Sequence, residues 1–239
     1  GLDVTLQPYS SGRDALNAAL EQQADLGTVG DTPLMLALMK DAPVQVVATI
    51  FTAGRAHGLV ARRDRDIATP ADLAGKTIGV TLGTDGHFLL SVLLASHGKE
   101  LTDVRLVGLK PELLPEALHI GTVDAVATWE PWLGVSSRAL GGNGVVFLSD
   151  WSLRFGFHLA GRAVWIAAHP ATVQRLLRAL IRAEQFVAAQ PAVAHALIVA
   201  ATQNDPAIFT AAGPIYRLQV TLDQSLLLML EDQARWAIS

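Results

Sequence analysis

Apolar and polar residues alternate from the start of the chain. Leu2, Val4 and Leu6 are separated by Asp3, Thr5 and Gln7, the period-two pattern of a strand with one covered face. Ser10, Ser11 and Gly12 break it. Leu16, Ala19 and Leu20 then resume at helical spacing, with Ser11 and Asp14 placed as a capping-box start. Residues 26–29 predict a strand stopped at Gly30, and a helix opens near Pro33. Residues 44–51, rich in Val and Ile, read as a strand buried on both faces. A short strand follows over 58–61, then a charged break over 62–66 and a helix start at Thr69-Pro70-Ala71-Asp72.

The alternation continues with a strand over 77–82 and a Gly83-Thr84-Asp85-Gly86 turn. A helix carrying Leu89, Leu90, Leu93 and Leu94 follows and ends at Gly98. Next come a strand over 104–109, a helix over 111–120 closed by Gly121, and a strand over 123–129 running into Glu130-Pro131. Residues 145–148 and 163–168 read as further strands. From Pro170 the pattern is helical: 170–190, 191–202, and a third helix opened by Thr221 with Gln224 as its capping partner. Strands and helices that alternate to about residue 150 predict an α/β fold with largely parallel sheets and a helical tail.

One stretch echoes another. Ala19-Leu20, Asp25, a short strand and Asp31-Thr32-Pro33 match Ala117-Leu118, Asp124, a short strand and Trp129-Glu130-Pro131. Any two βαβ units would give this echo, and so would two lobes of similar build. In open parallel sheets ligands sit outside the carboxyl ends of the strands, next to helix N-termini. Four strand-to-helix turns lie there: 10–12, 30–33, 83–87 and 129–132. Facing lobes would bring all four to one cleft.

Composition narrows the chemistry. Of 239 residues, 18 are Lys or Arg and 22 Asp or Glu, a net charge of 18 − 22 = −4, which gives no electrostatic footprint for nucleic acid. With 51% hydrophobic and 17% charged residues, disorder is excluded. The chain has no Cys, which removes disulfides, thiolate metal sites and cysteine nucleophiles. Apolar runs such as 196–201 fall far short of the roughly 18 residues of a membrane span. Gly1 stands one residue ahead of a strand pattern, so the chain reads as trimmed. No dinucleotide-binding, Walker or nucleophile-elbow motif is present, and the seven His residues show no metal spacing, so no cofactor and no metal are expected.

Candidate chemistry therefore rests on the turns. Ser10, Ser11, Thr84 and their glycines offer hydroxyls and backbone N–H groups at helix starts, suited to a sulfonate, carboxylate or phosphate; ordinary capping explains each one singly. Asp31, Asp85 and Glu130 are acidic at three of the turns and as a set favour a ligand with a hydrogen-bond donor or cationic group. Trp129 can wall a pocket, Arg55 can pair with an acidic group or simply be solvated, and His87 is the histidine in a candidate turn. An enzyme on this scaffold would use His87 and Glu130 as acid and base.

The same residues carry a resemblance. Gly1-Leu2-Asp3-Val4, Ser11-Gly12, Ala19-Leu20, Asp25-Leu26-Gly27, Asp72-Leu73-Ala74-Gly75-Lys76, Ile78-Gly79-Val80, Val123-Asp124-Ala125 and Trp129-Glu130-Pro131, in this order, resemble periplasmic substrate-binding proteins of ATP-driven importers, of the nitrate, sulfonate, taurine and thiamine-precursor type. The resemblance implies an α/β two-lobed periplasmic-binding-protein fold (type II), with mostly parallel sheets, flanking helices and a ligand cleft between the lobes. It places lobe one at 1–72 and 164–239, lobe two at 73–163, and crossings near 62–74 and 158–164. It implies ligand contacts from Ser10, Ser11, Asp31, Thr32, Thr84, His87, Trp129 and Glu130, to which the reading of the turns adds Arg55 and Asp85.

The function implied is capture of a small polar solute, sulfonate, taurine-like or pyrimidine-like, by an extracytoplasmic monomer, free or lipid-anchored. Its partners would be the membrane permease and ATPase of an ABC importer. A ligand-sensing domain of a membrane-anchored signalling protein and an enzyme on the same scaffold are the alternatives. Family members carry a strand and helix ahead of the position of Gly1 and run on beyond Trp236. The thiamine-pyrimidine synthase relatives depend on a cysteine-rich motif that a chain without Cys does not contain.

Overall fold

The structure, a computed structural model, describes residues 2–148, 154–202 and 215–238. The chain forms two compact units, one of Gly1–Ala53 with Phe155–Ser239 and one of Gly54–Arg154. Gly1, the first residue of the resemblance, lies outside the described residues.

The first unit is built on α1 (Gly12–Leu20), β1 (Leu26–Gly30), α2 (Asp31–Leu38) and β2 (Val44–Gly54). Its second chain segment supplies β8 (Arg154–Arg162), α6 (Ala163–Ala168), α7 (Pro170–Ala189), α8 (Pro191–Thr202), β9 (Tyr216–Thr221) and α9 (Ser225–Ile238). The sheet order is β1-β8-β2-β9, with β1 antiparallel to β8 and β2 antiparallel to β9. Leu16, Val29, Leu34, Ala160 and Leu226 form its core, with Leu20, Val44, Val46 and Leu230 packed against them.

Glycine sets the closest approaches in this unit. A Cβ at Gly27 would stand 2.5 Å from the carbonyl oxygen of Ala15, so α1 lies directly on β1. Gly27→Ala is therefore expected to push α1 outward and destabilise the protein by about 1–3 kcal/mol, read as a lower urea midpoint.

The second unit contains β3 (His57–Arg62), β4 (Thr77–Val80), α3 (Asp85–Ala95), β5 (Arg105–Gly108), α4 (Leu114–His119), β6 (Ala125–Trp129), α5 (Trp132–Leu140) and β7 (Gly144–Leu148). The order is β5-β4-β6-β3-β7. β4 runs parallel to β5 and β6, while β3 runs against both β6 and β7. Both faces of this sheet are covered, and the residues alternate accordingly. Leu59, Ala61, Ala125 and Ala127 pack in one core with Leu90 and Leu94, whereas Val60 and Val126 pack in the other with Leu114, Leu118 and Leu133.

Several elements differ from the sequence reading. The sheets are not mostly parallel: β1–β8, β2–β9, β3–β6 and β3–β7 are all antiparallel, because strands beside the two chain crossings return into each sheet. Those crossings fall at 53/54 and 154/155, where β3 joins the sheet of the second unit and β8 that of the first. Residues 2–9 alternate like a strand but belong to no sheet among the described residues, and Leu6 is 87% exposed, so the pattern has no face to cover.

The region after β7 departs most. Residues 163–168 are helical, and the strand is β8 just before them. β8 contains Gly156 and Gly161, which obscure a strand signal but are required here: a Cβ at Gly161 would meet the Asp25 carbonyl at 2.7 Å. β9 interrupts the expected helical tail and pairs with β2. β2 itself is fully buried only at Ala48, Thr49, Ala53 and Gly54, not along both faces.

Candidate functional site

The four predicted turns are helix starts, two in each unit. In the first unit Ser11 caps α1 by accepting the Asp14 N–H at 3.2 Å, and Gly12 packs against the end of β1. A Cβ at Gly12 would lie 3.0 Å from Val29 Cα and 3.3 Å from the Gly30 nitrogen, so the starts of α1 and α2 stand side by side. Ser10 is exposed and Thr32 buried at this edge. Gly30, the N-cap residue of α2, has no side chain with which to cap that helix.

Asp31 opens α2 and is 1% exposed. Its Oδ2 accepts the Gly156 N–H at 2.6 Å, and its Oδ1 lies 2.8 Å from His158 Nε2. His158 Nδ1 lies 3.0 Å from the Thr49 hydroxyl. The Nε2–H tautomer satisfies all three groups, donating to Asp31 and accepting from Thr49. Gly156 makes room for the arrangement, since a Cβ there would stand 2.6 Å from the imidazole. Asp31 therefore ties the start of α2 to β8. His158, Thr49 and Gly156 were not legible as partners, because more than a hundred residues separate His158 from both Thr49 and Asp31.

The second unit repeats the glycine device. Gly86, in the first turn of α3, would place a Cβ 3.1 Å from the Ala127 carbonyl and 3.4 Å from Thr128 Cα, which sets α3 against the end of β6. The Thr84 hydroxyl donates to the Thr81 carbonyl at 2.6 Å instead of capping α3. The hydroxyls of Thr81 and Thr128 are buried beside this helix start with no hydrogen-bond partner among the described residues. His87, half-buried, accepts the Gly83 N–H at 3.4 Å, and burial pushes its pKa down. Asp85 is buried with its Oδ2 4.0 Å from His57 Nε2. Burial pushes the His57 imidazole down to about 3, so it is neutral at physiological pH.

At the end of β6, Trp129 pairs in register with His57, and their rings are 6.4 Å apart. The next peptide, Glu130–Pro131, is cis. Glu130 accepts the Gly134 N–H at 3.1 Å and so caps α5; burial raises its pKa, against the pull of that hydrogen bond and of Arg138. Arg55, half-buried, adopts a left-handed φ of 62° between β2 and β3. The structure thus groups Ser10, Ser11, Asp31 and Thr32 in one unit, and Arg55, Thr84, Asp85, His87, Trp129 and Glu130 in the other. No group of three or more His, Asp or Glu side chains is placed to hold a metal ion among the described residues. No helix among them is long and apolar enough to cross a membrane.

Three comparisons bear on this geometry. A family model described as "NMT1/THI5 like" matches residues 1–194. The chain is similar to the taurine-binding periplasmic protein of Escherichia coli strain K12, with 26% identity over 202 residues. That match takes in 81% of this chain and 60% of the relative, so the chain spans about three fifths of the relative's length. Among solved structures, the alkanesulfonate-binding protein SsuA of Xanthomonas axonopodis pv. citri bound to MOPS is similar with a TM-score of 0.84 at 23% identity, covering 96% of this chain and 80% of that one. The periplasmic aliphatic sulphonate binding protein SsuA of Escherichia coli gives 0.79 at 21%, covering 96% and 79%. At these identities the structural likeness is one of fold.

Proposed function

This chain belongs to the NMT1/THI5-like family, and from that membership we propose that it captures a small organic sulfonate as the solute-binding part of an ATP-driven importer. The observation that carries the reading is the repeated construction of paired helix starts, Gly12 against Gly30 and Gly86 against Thr128, at strand ends. A sulfonate is permanently charged and presents three acceptor oxygens. It suits N–H groups at the positive ends of α2 and α3, neither of which has a side-chain cap from its N-cap residue. The buried Thr81 and Thr128 hydroxyls supply further donors next to α3.

The names of the similar proteins support a sulfonate over a carboxylate or phosphate: one is taurine-binding and two bind sulfonates. The chain works outside the cytoplasm as a monomer and delivers its solute to a membrane permease driven by an ATPase. Thr84, His87 and Trp129, all in the second unit, are the contacts we place on the solute, whereas Asp31 positions α2 and Glu130 caps α5. Chemistry by His87 and Glu130 is not favoured, because the similar proteins are named for binding. In a thermal-shift screen, a sulfonate at about a hundred times its Kd is expected to raise Tm by about 5–10 °C. Nitrate and pyrimidines are expected to leave Tm unchanged. A screen in which no sulfonate shifts Tm overturns the reading.

A further inference from the structure

We propose that the solvent face of α7, with the neighbouring α8, is a docking surface for a lipid bilayer that carries anionic headgroups. The proposal goes beyond the sulfonate reading and does not depend on it. Arg175, Arg178 and Arg182 follow one another at helical spacing along the 20 residues of α7. At about 100° per residue they fall within about 60° of arc and span about 10 Å of the helix. All three are exposed, and among the described residues none has an ion pair or a hydrogen bond. They form one straight positive stripe on a chain whose net charge is −4.

No acid of α7 shares that face. Glu184 is the one acidic residue of the helix, about 120° or more round it from each arginine. Its Oε2 accepts the Val220 N–H at 2.8 Å, which commits it to β9. The exposed positions beside the arginines are Gln174, Ile181 and Gln185, and Ile181 is 41% exposed. Like charges three and four residues apart repel along a helix, so the stripe does nothing for the stability of α7. Guanidinium groups so placed suit phosphate oxygens, which they grip with paired N–H groups.

The composition of α8 favours a bilayer over a soluble acidic partner. This helix follows α7 after Gln190 and is in contact with it. It contains no Asp, Glu, Lys or Arg. Val193 and Leu197, four residues apart on one side of it, are 49% and 57% exposed, and Ile198 is 37% exposed. An acidic protein surface would match the arginines and leave these apolar side chains uncovered. A bilayer serves both: the arginines reach lipid phosphates on long apolar stems, and the apolar side chains enter the boundary between headgroups and acyl chains.

Flotation of the chain with vesicles tests the proposal. Vesicles of phosphatidylglycerol and phosphatidylcholine in equal parts are expected to carry the chain, with about tenfold less on phosphatidylcholine alone. Sodium chloride at about 0.5 M is expected to release most of it. Arg175→Gln, Arg178→Gln and Arg182→Gln are each expected to lower partition about threefold to fivefold, and by about tenfold or more together. Gln is a good helix former at an exposed position, and circular dichroism checks that the triple variant is folded. Arg105→Gln, at an exposed arginine of the second unit, is expected to bind like the parent. Leu197→Ser is expected to weaken binding about threefold. Equal binding to both kinds of vesicle, no binding to either, or a folded triple variant that binds like the parent overturns the proposal. Arginine-dependent binding to poly-glutamate without binding to vesicles overturns it too, and assigns the face to an acidic protein. None of these outcomes bears on the sulfonate reading, which the thermal shift tests separately.

Discussion

Asp31→Ala is expected to cost about 2–6 kcal/mol of folding stability, since it leaves two buried hydrogen-bond donors without an acceptor at about 1–3 kcal/mol each. The carboxylate is 1% exposed and holds two groups from β8, the Gly156 N–H and the His158 imidazole. Alanine strands both, and His158 also loses the partner that orients it toward Thr49. The measurement is urea unfolding of the ligand-free protein. Its value lies in separating two roles: a carboxylate that contacts solute would lose affinity with little change in stability, whereas a positioning carboxylate loses stability first. Asp31→Asn refines the test, since an amide keeps one acceptor and restores part of the loss. A stability change below about 1 kcal/mol in Asp31→Ala would remove the positioning role.

Acid sensitivity is the second large effect, and His57 dominates it. Burial lowers this imidazole from 6.5 to about 3, and the Asp85 carboxylate at 4.0 Å does not offset the loss of water. Between those two values the unfolded chain takes up a proton that the folded chain refuses. The stability is therefore fully present above about pH 6.5 and falls as pH drops, by up to about 1.4 kcal/mol per pH unit. His87, whose pKa burial also lowers, acts in the same direction.

Glu130 acts in the opposite direction. Its carboxyl holds a proton to higher pH when folded, so its contribution is lost as pH rises above its ordinary 4.5. Urea midpoints from pH 4 to pH 7.5 are expected to show a steep acid limb in the parent chain and a shallower one in His57→Gln. His97→Gln, at an exposed histidine, serves as the control. An unchanged acid limb in His57→Gln would assign the sensitivity elsewhere.

Much of the local structure was legible in the chain. The caps and breakers at Ser11, Thr69-Pro70, Gly98 and Gly121 mark element ends because each satisfies or releases specific backbone groups within a few residues. The strands predicted over 58–61 and 123–129 likewise appear as β3 and β6. The echo about Asp25 and Asp124 corresponds to α1–β1–α2 and α4–β6–α5, one in each unit, with β1 and β6 each five residues long. Where the signal was ambiguous, partners decided. β8 and β9 are strands because β1 and β2 pair with them, whereas residues 2–9, with the better alternation, lie in no described sheet.

The candidate site divides along the same line. Helix starts with Ser, Thr, Asp and Gly could be placed from the chain, because capping chemistry is local. Which of those residues remain available to a solute could not. Asp31 is consumed by His158 and Gly156, Glu130 by the start of α5, and Ser11 by its own helix, whereas Gly30 and Thr84, the N-cap residues of α2 and α3, make no side-chain cap.

Residues within one or two turns of each other interact whatever the rest of the chain does, so composition, caps and periodicity by themselves determined the α/β class and most element ends, while the order of the sequence motifs carried the resemblance to the family. Strand direction, the placing of the two crossings and the occupation of Asp31 depend on contacts between distant segments. Those contacts exist only once both sheets have closed around their cores, and only the tertiary structure decided them.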